Sequence, residues 1–152
     1  MSWPQIREQL AAILAAVEGA GVIHQYQRWS GTWEKFLDLY KFDGAINGGS
    51  ISRTKKEEAS GEEDDSSSHQ LVRHHIAIRY YRGLQDSSGS EIANDAFIDA
   101  VCAAVRAAYR LNGTCYHNSA LQVPVSEPRM FGGVLCHYAE MTLFAEEWQA
   151  WA

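Results

Sequence analysis

The residue types in this chain best suited to chemistry are its six histidines, because imidazole near neutral pH serves as a metal ligand or as a general base. Spacing decides between such uses. His74 and His75 are adjacent in a segment of period two, so they point to opposite faces and cannot share one metal ion without a bulge. His69, His117 and His137 are scattered, and no H-E-x-x-H or comparable ligand spacing joins them. The nucleophile motifs are no stronger. Gly48-Gly49-Ser50-Ile51-Ser52 fails the last position of G-x-S-x-G, and its glycine pair reads as a backbone bend. Ser87-Ser88-Gly89-Ser90, ahead of a helix, offers N–H groups to an anion but lacks the Gly-Lys-Ser/Thr of a phosphate loop, so helix capping is the simpler role. Cys102, Cys115 and Cys136 are odd in number and contain no C-x-x-C, which argues against a disulfide framework or a zinc knuckle and for a reducing compartment. The pattern predicts no catalytic residue, no metal site and no cofactor. The rival from the enzyme class is a small hydrolase or metal enzyme built on His74, His117 or His137.

Charge points to contacts instead. The formal net charge is −6, and Glu57, Glu58, Glu62, Glu63, Asp64 and Asp65 account for all of it. The rest of the chain is neutral, with no basic run of the kind a nucleic-acid surface needs. These six acids are the candidate contact to a partner or to the lumen of an assembly. A second candidate contact is Arg28, Trp29 and Trp33, since Trp and Arg are enriched where subunits meet. If those aromatics were buried within one subunit, a monomeric binding module would be favoured.

The elements that must position these residues follow from hydrophobic period. At 152 residues the chain is expected to form a single domain spanning 1–152. Ser2 and Pro4 start a helix with a stripe Ile6, Leu10, Ile13, Leu14 and Val17, ended by Gly19 and Gly21. Residues 22–26 suggest a short strand, and Trp33, Phe36, Leu37 and Tyr40 a short helix capped by Thr32. Residues 50–56 form a polar strand, joined by the acidic tip 57–68 to the best strand, 69–81, where Val72, His74, Ile76, Ile78 and Tyr80 share a face. Ser88 and Glu91 fit a capping box for a helix with the stripe Ile98, Val101, Cys102, Val105 and Tyr109, stopped by Gly113. Strands at 120–125, held to an edge by Pro124 and Pro128, and at 134–144 complete the set. The expected fold is therefore α+β: a mostly antiparallel sheet of about four strands against two main helices, with a long acidic-tipped β-hairpin arm. The start of the chain carries no basic and apolar signal run, and the apolar stretch 10–17 is too short to span a bilayer.

The segment Glu127-Pro128-Arg129-Met130-Phe131-Gly132-Gly133-Val134-Leu135-Cys136-His137-Tyr138-Ala139-Glu140 carries a further signal. With Arg28-Trp29, the aromatic helix, Ile46-x-Gly48 and the Arg73-His74-His75 strand leading to the helix over 90–108, it resembles the tail-terminator and neck proteins of tailed bacteriophages. The resemblance runs along nearly the whole chain. It implies an α+β subunit of a homo-oligomeric ring, commonly a hexamer, that caps the tail tube and joins it to the head. Its implied neighbours are the tail tube protein on one side and a neck or connector protein on the other. Genomic DNA passes through without sequence-specific binding, and no membrane is involved. The implied location is the virion tail or neck, after assembly in the host cytoplasm. Another head–tail connector ring is the nearest alternative. The acidic run matches no motif of that family.

Overall fold

Capping and stripe residues place the first helices. The structure is a computed structural model that describes residues 1–58 and 69–150. In α1 (Trp3–Ala15) Ser2 Oγ accepts the Gln5 N–H at 3.3 Å, Pro4 occupies the first turn, and Ile6, Leu10, Ile13 and Leu14 are buried. Thr32 Oγ1 accepts the Lys35 N–H at 3.3 Å and starts α2 (Trp33–Asp38), which buries Phe36 and Leu37.

The third helix begins differently from the expected capping box. Ser88 lies in a one-turn 3-10 segment, Asp86–Ser88, and its hydroxyl donates back to the Gln85 carbonyl at 3.0 Å. Gly89, in the left-handed region at φ 69°, then turns the chain into α3 (Ser90–Ala107) with no side-chain cap. α3 also ends early. Tyr109, expected on the buried stripe, is exposed, and Gly113 is not what stops the helix. The next segment, α4 (Arg110–Gly113), is a left-handed turn in which Arg110, Leu111, Asn112 and Gly113 all have positive φ, 53°, 46°, 57° and 82°. Each non-glycine residue there costs about 1–2 kcal/mol. Leu111, fully buried among α1, α3 and β7 residues of the core, anchors the turn and offsets part of that cost.

The sheet is larger than four strands. Among the described residues it has seven: β1 (Val22–His24), β2 (Lys41–Phe42), β3 (Ala45–Glu58), β4 (His69–Gly83), β5 (His117–Asn118), β6 (Gln122–Phe131) and β7 (Val134–Ala150). The main order is β1-β3-β4-β7-β5, with β2 on β3 and β6 on β7. It is mixed, because β1 runs parallel to β3 while the other pairs are antiparallel. The expected four-strand sheet on two helices is corrected, among the described residues, to a seven-stranded sheet with α1 to α4 and the 3-10 segment. The α+β class is retained. β1, β2 and β5 are two or three residues long and show no period of their own; long neighbours hold them.

Two local expectations change for a related reason. Gly48 and Gly49 form no bend but lie inside β3, where a Cβ would stand 2.8 Å from Val22 O and 2.9 Å from Arg79 O. They are needed for close backbone approach. Nor is the hairpin a free arm: β3 pairs with β4 out to Glu58, and β7 runs beside β4 to Ala150. Pro124 sits where β6 loses register against β7 between Gln122 and Val125, and Gly132 and Gly133 make the tight turn between those strands at φ 56° and 83°.

Hydrophobic residues fill both faces of the sheet. On one face α1 and α3 pack over Ile51, Ile76, Ile78, Tyr80, Met141 and Leu143, with Phe97 stacked on Tyr80 at 4.3 Å. On the other, α2 covers one end of the sheet through Phe36, Leu37, Tyr40, Ile46, Tyr81, Cys136 and Tyr138.

Candidate functional site

The aromatic end is built outward from α2. Phe36 and Tyr40 are buried, and Phe36 touches Trp29, Trp33 and Tyr81 with ring centroids 5.6, 5.5 and 6.1 Å away. The outer partners stay in solvent: Trp29 is 68% exposed and Trp33 55%. The Arg28 guanidinium lies 5.4 Å from the Tyr26 ring, which is itself exposed. The β6–β7 turn rests on Trp33, so closely that a Cβ on Gly132 would meet Trp33 Cβ at 2.5 Å. Beside it Val134, also exposed, lines a cleft with Leu37, Ile46 and Gly132. This end exposes two tryptophans, the residue type enriched where subunits meet. The tryptophans are therefore not buried within one subunit, the condition under which a monomeric binding module would be favoured.

The histidines do not converge. His74 is buried against Glu147, His75 bonds the Glu57 carboxylate on the opposite face, His137 bonds Ser90, and His117 is exposed. Among the described residues no group of three His, Cys, Asp or Glu is placed to hold a metal ion. The Ser90 Oγ to His137 Nε2 contact, 2.8 Å and buried, was not anticipated from sequence. Although it has a nucleophile–base distance, Ser90 Oγ already accepts the Gln85 N–H at 2.8 Å, and no carboxylate orients the far ring nitrogen among the described residues. It fastens the loop ahead of α3 to β7.

The chain matches no protein-family model and no curated protein sequence.

Of the six acids, the two described ones are already engaged. Glu57 meets Lys55 at 3.5 Å as well as His75, and the His75 hydrogen bond holds its carboxyl below the usual range. Glu58 meets Lys56 at 3.1 Å. These exposed pairs are screened by solvent and contribute little. Glu62, Glu63, Asp64 and Asp65 lie outside the described residues.

A site that sequence reading missed lies at the other edge of the sheet. The end of α3, the left-handed turn and β5 border an open cavity of about 530 Å³ whose lining includes Arg106, Tyr109, Arg110, Tyr116, His117 and Glu146. The Arg110 guanidinium lies 5.0 Å from the Tyr109 ring and 5.5 Å from the Tyr116 ring. Glu146 is taken by Arg73 at 3.2 Å, and neither Arg106 nor Arg110 has an ion-pair partner among the described residues. Backbone strain at such a place is a pointer to function. The two arginines, four residues apart and followed by Leu-Asn-Gly, were the available signal; a helix through Tyr109 would have aimed them differently. Among the described residues no helix is long and apolar enough to cross a membrane.

Proposed function

We propose that this chain is a structural subunit that associates head-to-tail into a closed homo-oligomeric ring, a hexamer, which ends the tail tube of a tailed bacteriophage and joins it to the neck. The observation that carries the reading is the exposure of Trp29 and Trp33, both packed on Phe36, at one end of the subunit. A subunit alone leaves this surface in water, and burying it against a neighbour supplies the hydrophobic drive for assembly. Among the described residues the sheet has two unlike edges: β3 from Ile51 to Glu58 has β4 on one side only, and β5 and β6 have β7 on one side only. Unlike patches meeting in a head-to-tail contact close into a ring when the rotation permits. The resemblance of the 127–140 segment and its companions to tail-terminator and neck proteins supplies the setting.

The test is the mass of the purified protein in solution over a range of concentrations, followed by its position in imaged particles. A cyclic oligomer located between tail tube and neck is the expected result. A chain that is monomeric both alone and in its native complex would overturn the reading.

A further inference from the structure

We propose that the Arg106/Arg110 cavity binds a phosphate ester joined to a planar base, the chemistry of a nucleotide, with the phosphate on the two guanidinium groups and the base on Tyr109. The site is built from one subunit, and its occupancy does not depend on oligomer closure.

Charge selects the anion. Arg106, at the end of α3, and Arg110, in the left-handed turn, both line the cavity and are both exposed. Among the described residues Glu146 is the one carboxylate in the lining, and Arg73 holds its Oε2 from Nε at 3.3 Å and Nη2 at 3.2 Å. Arg106 and Arg110 have no ion-pair partner among the described residues. The cavity therefore carries two uncompensated positive charges, which a phosphate monoester at roughly −1.5 to −2 near neutral pH balances and a single carboxylate does not. The planar fork of a guanidinium also meets two phosphate oxygens at once.

Aromatic placement selects the base. The Arg110 guanidinium lies over the Tyr109 ring at 5.0 Å and over the Tyr116 ring at 5.5 Å, and Tyr116 meets the Trp148 ring edge-on at 5.4 Å. Trp148, Tyr116, Arg110 and Tyr109 thus form one continuous row, and all four are exposed, Tyr109 to 74%. A guanidinium resting on aromatic rings keeps its N–H groups in its own plane, free for oxygen, and leaves the uncovered ring faces open. A base stacks on such a face whatever its identity. The volume, about 530 Å³, suits a ligand of this size, since small-molecule sites run from roughly 300 to 1,000 Å³. The backbone is fixed in the same place: Arg110 has φ 53°, and the buried Leu111 beside it pins the turn, so the conformational cost is met at the rim of the cavity.

The experiment titrates the full-length protein by calorimetry with adenosine 5′-monophosphate, inorganic phosphate, adenosine and a short single-stranded oligodeoxyadenylate. The mononucleotide is expected to bind about tenfold more tightly than either phosphate or adenosine, and its affinity to fall as salt rises from about 0.05 M to about 0.3 M. Arg106→Gln and Arg110→Gln are each expected to weaken binding of the mononucleotide and of phosphate about tenfold. Tyr109→Ala is expected to weaken the mononucleotide about tenfold and phosphate less. All three side chains are exposed, so the urea midpoint is expected to stay put, and the salt series on the unaltered chain tests the phosphate contact without any substitution. An oligonucleotide that binds more tightly per nucleotide than the mononucleotide supports the proposal with a nucleic-acid strand as the source, and one that binds equally or less tightly supports it with a free nucleotide. No saturable binding of the mononucleotide, affinity no greater than that of phosphate alone, indifference to salt, or binding that survives loss of both arginines overturns the proposal. Each of those outcomes leaves the oligomer reading standing, because that reading is tested by mass and by Trp29 and Trp33.

Discussion

His74 Nε2 stands 3.2 Å from Glu147 Oε2 within the sheet, both side chains 1% exposed. Arg53 Nη1 lies 3.4 Å from His74 Nδ1, and because a guanidinium only donates, Nδ1 is the acceptor and Nε2–H is donated to Glu147. The ring is thus neutral. Burial pushes its pKa below the ordinary 6.5, with Glu147 opposing and the charges of Arg53 and Lys56 adding to the shift. In the unfolded chain the same ring takes up a proton below 6.5, so the unfolded state binds more protons and stability falls as pH drops from 6.5 toward the lowered value. The slope has a ceiling of about 1.4 kcal/mol per pH unit. Glu57, also shifted, titrates beneath 4.5 and stays outside this window. Urea unfolding between pH 7 and pH 5 is expected to show the slope, and His74→Gln to flatten it; an unchanged slope in that variant removes His74 as its source.

Trp29→Ala and Trp33→Ala separate assembly from folding. Both rings are largely in solvent in the subunit, where each rests on Phe36. Each substitution is expected to cost the isolated subunit about 1 kcal/mol or less, the size of an exposed aromatic contact, and to weaken ring formation by about 2 kcal/mol. Denaturant unfolding and concentration-dependent mass measure the two effects. Unfolding of the subunit without a separate assembly defect would place both tryptophans in its core.

The β6–β7 turn provides a paired control. At Gly132 a Cβ would meet Trp33 Cβ at 2.5 Å, whereas at Gly133 nothing stands within 4 Å, and both have positive φ. Gly133→Ala is expected to cost roughly 1 kcal/mol from backbone strain alone. Gly132→Ala adds displacement of Trp33 and is expected to cost roughly 2–3 kcal/mol and to impair assembly. Equal effects in thermal unfolding and assembly would mean that the turn does not position Trp33.

Single replacement of the other histidines tests the enzyme alternative. His117→Gln, at an exposed position, is expected to be close to neutral, and His137→Gln to cost about 1 kcal/mol by breaking its bond to Ser90. Neither is expected to abolish assembly. Transition metal bound in stoichiometric amount by the unaltered protein, and lost on either substitution, would favour a metal enzyme.

Local pattern was enough for the long elements. Ser2 with Pro4 and the Ile6, Leu10, Ile13 and Leu14 stripe determined α1, Thr32 capped α2, and alternation from Val72 to Tyr80 gave β4 its buried face, because each of these depends on side chains a few residues apart. The exposure of Trp29 and Trp33 was open at that level, since an aromatic stripe packs equally well on its own sheet or on a neighbour. What only the tertiary structure decided involves residues distant in the chain. β1, β2 and β5 exist because longer strands offer them hydrogen bonds, Gly48 and Gly49 serve the approach of Val22 and Arg79 rather than a bend, and Ser90 meets His137 across 47 residues. The Arg106/Arg110 cavity belongs to the same class. It depends on four successive positive φ values held by the burial of Leu111, and local propensity alone disfavours that turn until the core is present to offset its cost.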